Sequence, residues 1–223
     1  ADRARRLLTM ARGSRFRLQA EEIRDQALAA SGLLVERLGG PSVMPYQPDG
    51  LWQAVAYPDS DTTTYMPEDG DGRYRRSMYT YWKRTSPPPN LVTFDAPTRE
   101  ACMVRRSRTN TPLQALVLLN DPQFVEAAVA LAGRVMRECD TDDARVARAF
   151  RLLTSREPDG DEVAVLLDLL AEERERYERN PAAADALVGD LVMDEEDGFE
   201  NVERAALSTV SSTIMVLDES LTR

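Results

Sequence analysis

The sequence predicts a mainly α, single irregular helical domain that carries a long aromatic-rich, Pro-rich segment without regular structure. Three observations carry this reading. Helix-capping signals recur through the second half of the chain, where apolar residues return every three or four positions. Residues 41–72 show no sustained period of either kind. Six of the seven tyrosines and both tryptophans fall between residues 46 and 82, where large aromatic side chains anchor a stretch that lacks repeating backbone bonds. The chain has 223 residues, enough to bury a sizeable core, so residues 1–223 read as one helical domain with 41–100 as an irregular insert.

In chain order, residues 3–12 predict a short helix interrupted at Gly13-Ser14. A longer helix is expected from Ala20 to Leu38, with Ile23, Ala27, Leu34 and Leu38 on one side and Gly39-Gly40-Pro41 as its stop. Asp69-Gly70-Asp71-Gly72 has residue types of a calcium loop without the spacing or the distant glutamate, and reads as a turn. Tyr74, Met78 and Tyr81 share a helical face and favour a short helix over 73–85, although Met78, Thr80 and Trp82 also alternate as in a strand. Pro87, Pro88 and Pro89 force an extended passage, which Phe94-Asp95-Ala96-Pro97 ends.

The stretch Cys102 to Ala132 dictates its structure most tightly. Thr111, Pro112 and Gln114 fit a capping box, so a helix starts at Pro112 and closes at Asn120. Asp121-Pro122 repeats the signal and starts a second helix. Further on, Val146, Ala149, Phe150 and Leu153 line one side of a helix from Asp142. Asp159 and Glu162 cap the next, whose stripe of Val163, Leu166, Leu167 and Leu170 runs toward Tyr177 and stops at Asn180-Pro181. A weaker helix over 182–188, a solvated acidic loop at Met193 to Gly198, and a last helix over 200–221 facing Val210, Ile214, Leu217 and Leu221 inward complete the chain.

The chain carries 28 Lys and Arg, 38 Asp and Glu, and no histidine, for a net charge of -10. Lys83 is the one lysine, so the surface is built for the bidentate pairing that arginine favours. Residues 73–108 hold nine basic and two acidic groups, whereas 121–223 hold 11 and 25. The plain expectation is that the basic band folds back onto the acidic C-terminal half; the sharper one is an anion site. General nucleic-acid binding does not suit so acidic a chain. Cys102 and Cys139 are the two cysteines, with no CxxC, so zinc and iron–sulfur sites lack their usual ligands; spacing leaves a bond between the two open. No apolar run reaches spanning length, so direct membrane insertion is not expected.

The runs GGPSVMPYQPDGLW, YRRSMYTYWKRTSPPP, FDAPTRE, VRRSRTNTPLQALVLLNDPQFVEAA and VLDESLTR resemble a planctomycete family, domain of unknown function 1553. The resemblance implies a C-terminal piece of a large exported protein, periplasmic or at the cell surface. It also implies a partner in the upstream domains of the same polypeptide, often including a cytochrome-c-like haem domain. It supplies no catalytic residues. One departure is Gln19, where an aspartate N-cap is expected before the first long helix, a weakening of about 1 kcal/mol.

Without histidine there is no Ser-His-Asp or Cys-His centre and no CxxCH for haem, so no cofactor is expected within this chain. A Ser-Lys dyad would rest on Lys83 alone. A carboxylate-based hydrolase would draw on Asp95, Glu100 or Asp121, the last already spoken for as a cap. The strongest site hypothesis is anion binding by Arg105, Arg106 and Arg108 with Thr109, Asn110 and Thr111, ahead of a helix N-terminus. Trp52, Tyr79, Tyr81 and Trp82 would form an aromatic platform beside it. The sequence therefore predicts a non-catalytic structural or interaction domain, with an anionic-polysaccharide binding module (sulfated or carboxylated) and a carboxylate hydrolase as alternatives.

Overall fold

The computed structural model describes residues 15–57, 60–191 and 198–222. The helix expected over 3–12 and the acidic run Met193 to Asp197 lie outside the described residues. Nine α-helices form among the described residues, with no strand longer than an isolated bridge.

Helix α1, Ala20–Ser31, is shorter than its apolar pattern. Gly32 adopts φ 85°, and the Leu34 N–H folds back to the Leu28 carbonyl at 3.0 Å, which satisfies the free carbonyls of the last turn. The helix therefore stops at the first glycine able to cap it, seven residues before the expected Gly39. Leu38 is 82% exposed rather than part of the core.

Residues 33–57 and 60–88 hold no α-helix, as expected over 41–72 but not over 33–38, and the helix favoured over 73–85 does not form either. Two 3-10 turns stand there instead, Gly70–Tyr74 and Ser77–Tyr79. Parallel bridges pair Val35 with Arg75 and Val43 with Thr80. Met78, which shared the expected helical face with Tyr74 and Tyr81, is exposed. The backbone of 73–81 finds partners across the segment, with Val35 N–H donating to the Tyr74 carbonyl at 3.1 Å and Tyr81 N–H to that of Val43 at 2.8 Å; these bonds replace the helical ones.

The proline run is extended through Pro88, then turns directly into α2, Pro89–Thr93, where Pro89 takes the first-turn position that needs no donor. Helices α3, Pro112–Asn120, and α4, Pro122–Glu138, start at the two expected prolines. They meet at 59°, because Asp121 leaves the helical region to cap α4, its carboxylate accepting from the Gln123 N–H at 3.0 Å.

Helices α5, Asp142–Thr154, α6, Gly160–Arg179, and α7, Pro181–Val188, follow where the apolar spacing, the Asp159 cap of α6 and the weaker pattern over 182–188 predict them. The last stretch is broken. Helix α8 covers Asn201–Val216 and α9 covers Asp218–Leu221, separated at Leu217, which is extended and partly exposed instead of facing the core. The Ser220 hydroxyl secures the break by donating to the Ile214 carbonyl at 2.7 Å.

Helix α8 packs against α4, α6 and α7, and α4 also receives α1. Small residues at the crossings, Ala127, Ala132, Ala205 and Ala206, are fully buried and let these helices approach closely. One apolar cluster joins buried residues of the helices from Ala20 of α1 to Leu221 of α9, and Phe94 meets Phe124 edge-on at 6.1 Å, tying α2 to α4. No single described helix is long and apolar enough to cross a membrane.

Two buried arginines fasten the irregular segment to this core. Arg24 of α1 donates to Gln123 Oε1 at 2.6 Å, to the carbonyls of Arg73 and Arg75 at 2.6 and 3.0 Å, and to Ser77 Oγ at 3.2 Å. Arg75 is fully buried, donates to the carbonyls of Arg37, Gly39 and Pro41, and lies 3.9 Å from the centre of the Tyr79 ring. Among the described residues the charges of the basic band do not pair with those of the acidic C-terminal half. Its described ion pairs go to α1, Arg76 to Asp25 and Arg106 to Glu21. The C-terminal helices form ion pairs among themselves, with Arg174 joining Asp142 and Glu203, and Arg156 joining Glu162 and Glu219.

Candidate functional site

Between α2 and α3 the chain forms a strap, residues 97–110, that crosses the N-terminal end of α1. Among the described residues no strap N–H or C=O bonds to another backbone group. Side chains hold it instead. Asp95, at the left-handed φ of 63°, accepts from the Thr109 N–H and hydroxyl at 2.7 and 2.8 Å. The Trp82 indole donates to the Thr98 carbonyl at 2.9 Å, and Arg106 pairs with Glu21 at 2.6 Å.

Beneath the strap is a cavity of about 310 Å³ whose lining includes Arg17, Gln19, Ala20, Arg105, Arg106 and Arg108. The three arginines of the expected site therefore share one cleft. Arg17 joins them, which the sequence analysis missed; its signal was the basic Arg15-Phe16-Arg17 run just ahead of the first confident helix. Arg17 is fixed by a 2.8 Å bond to Gln114 Oε1. Gln114, 1% exposed, also accepts from the Thr111 N–H at 3.4 Å and donates to Thr93 O and Thr109 Oγ1 at 2.9 and 3.0 Å. The capping glutamine of α3 thus sets the cleft wall as well.

The arginines are not equivalent. Arg106 is committed to Glu21, whereas among the described residues neither Arg105 nor Arg108 makes an ion pair, and Arg108 lies over the Phe16 ring at 5.9 Å. Asp95 is the acidic group in the lining, and its carboxylate is occupied by Thr109. The cleft lining is therefore electropositive, with two guanidinium groups at its edge that form no ion pair among the described residues.

The rest of the expected site is arranged differently. The cleft opens at the start of α1, not of α3, so Thr109, Asn110 and Thr111 lie outside its lining. Thr109 braces the strap, Thr111 caps α3, and Asn110 is exposed. The four aromatic residues do not make one platform. Trp52 is 3% exposed, edge-on to Tyr65 at 4.9 Å and tilted against Tyr81 at 5.6 Å, with Lys83 Nζ 4.6 Å from its ring. Tyr79 is stacked on Arg75, and Trp82 lies under Arg99 at 4.5 Å.

Of the carboxylates considered for hydrolysis, Asp121 caps α4, and burial pushes its carboxyl above the usual carboxylate range. Asp95 braces the strap. Cys102 is exposed, Cys139 is half-buried, and both are free thiols. No cluster of three or more metal-ligating side chains forms among the described residues.

Fold and site together define a mainly helical domain with an arginine-lined cleft under a side-chain-braced strap. The chain belongs to the family described as protein of unknown function DUF1553, PSD1, whose profile matches residues 1–170. Comparison with curated proteins and with solved structures gives no match.

Proposed function

We propose that this domain is a non-catalytic interaction module, and that it holds oxyanion groups in the cleft beneath the strap. The observation that carries the reading is the convergence of Arg17, Arg105, Arg106 and Arg108 on one cavity, with Arg105 and Arg108 making no ion pair among the described residues. A guanidinium presents paired donors to sulfate, carboxylate or phosphate. Anionic polysaccharide meets that chemistry. What supports it is charge rather than stacking, since Trp52 is buried and Trp82 is covered by Arg99.

The exported setting and the upstream haem-bearing partner belong to the same proposal: a C-terminal module that tethers a periplasmic or cell-surface protein to an anionic matrix. Calorimetric titration with dextran sulfate and with polygalacturonate tests it. Binding is expected at low salt, falling steeply as salt screens it, and weakened about tenfold by the double variant Arg105→Ala, Arg108→Ala. Arg151→Ala, remote on α5 and paired with Glu157, should leave it unchanged. No binding, or binding indifferent to the double variant, would overturn the reading.

A further inference from the structure

The strap carries a second feature that a water-soluble polyanion does not use. Met103 is 51% exposed and Val104 is fully exposed, side by side, immediately before Arg105. Phe16, beneath Arg108, is 47% exposed. Apolar side chains scattered singly over a surface need no explanation, but here Met103 and Val104 line an electropositive cleft, with Phe16 under the arginine at its edge. No described backbone bond pulls the strap into this course. An apolar tip beside arginines that form no ion pair among the described residues has two complementary surfaces, one for hydrocarbon and one for oxyanions, and an anionic bilayer presents both within a few ångströms.

We propose that the strap is a peripheral contact for an anionic lipid surface. Met103 and Val104 enter the boundary between headgroups and acyl chains, Arg105 and Arg108 pair with lipid phosphates, and the cleft at the start of α1 admits one phosphodiester beside Arg17. The contact is shallow and crosses nothing. It rests on the oxyanion reading of the same cleft and adds lipid phosphate to the polysaccharide oxyanions as an anion that the cleft takes.

Co-sedimentation of the domain with vesicles tests it, using phosphatidylcholine alone and phosphatidylcholine mixed with phosphatidylglycerol, with a parallel titration by dextran sulfate. Both variants used, Met103→Ser with Val104→Ser and Arg105→Ala with Arg108→Ala, alter exposed strap residues that the core does not need. The expected result is binding to the mixed vesicles only. The serine pair should lower it tenfold or more through lost apolar burial. Each arginine removed should lower it about fivefold, and dextran sulfate binding should be indifferent to the serine pair. Vesicle binding unchanged by the serine pair, or equal binding to phosphatidylcholine alone, would overturn the lipid contact. Binding of dextran sulfate without vesicle binding would overturn it too and leave the oxyanion reading standing; failure of both ligands would remove both.

Discussion

Arg24 and Arg75 show how individual residues replace secondary structure in the irregular segment. Each carries its charge into the interior and spends its donors on backbone carbonyls that no helix or sheet satisfies. Burial pulls the Arg24 guanidinium down to about 10, with Asp25 and then Asp121 opposing the shift, so it remains charged at neutral pH. Arg24→Met would strand the Gln123 and Ser77 oxygens and two carbonyls in the interior. A loss on the order of 3 kcal/mol or more is expected, read as a fall in the urea midpoint together with a red shift of the buried Trp52 emission. A cost below about 1 kcal/mol would mean that the segment is held by other contacts. None of this was legible in the sequence. Arg24 is 51 positions from Arg75, and nothing local marks one arginine of α1 as the anchor of a loop.

At the scale of elements, legibility followed the range of the determining contact. The starts of α3, α4 and α6 were legible because each cap reaches no further than three residues, as Asp159 does to the Glu162 N–H at 2.9 Å. The end of α1 was misplaced because an apolar repeat continues past Gly32, and the repeat does not show which glycine turns left-handed. The break at Leu217 was missed for the reverse reason: apolar spacing runs through it, and the Ser220 hydroxyl that stabilises it carries no periodic signal.

Helix α6 gives a pH-dependent test at the same scale. The Arg156 fork, at 2.7 and 2.5 Å, and the Asp159 N–H, at 2.8 Å, hold the Glu162 carboxyl down to about 2, against an ordinary 4.5. A depressed carboxylate contributes stability that is complete above its unfolded value and is lost as pH falls through the folded one. Melting temperature should therefore drop between pH 4.5 and about 2, and Glu162→Gln should flatten that part of the profile. Parallel profiles for the two proteins would show that the fork contributes nothing.

Across the whole molecule, the uneven charge resolves into two separate systems. The acidic C-terminal helices pair internally, and the basic band is drawn to α1, where Glu21 and Asp25 neutralise part of it. Among the described residues, Arg105 and Arg108 at the strap are left without an ion pair. The sequence disclosed the three arginines as a run, but the cleft requires Arg17 and the first turn of α1, which lie about 90 positions away and are joined to the strap through Glu21 and Gln114.

Backbone amide chemical-shift mapping during titration with dextran sulfate tests the central claim most directly. The account predicts shifts concentrated at Arg105 to Thr109 and at Arg17 to Glu21, with Tyr79, Tyr81 and Trp82 unaffected. Shifts centred on those aromatic residues, or spread over the C-terminal helices without the strap, would contradict it.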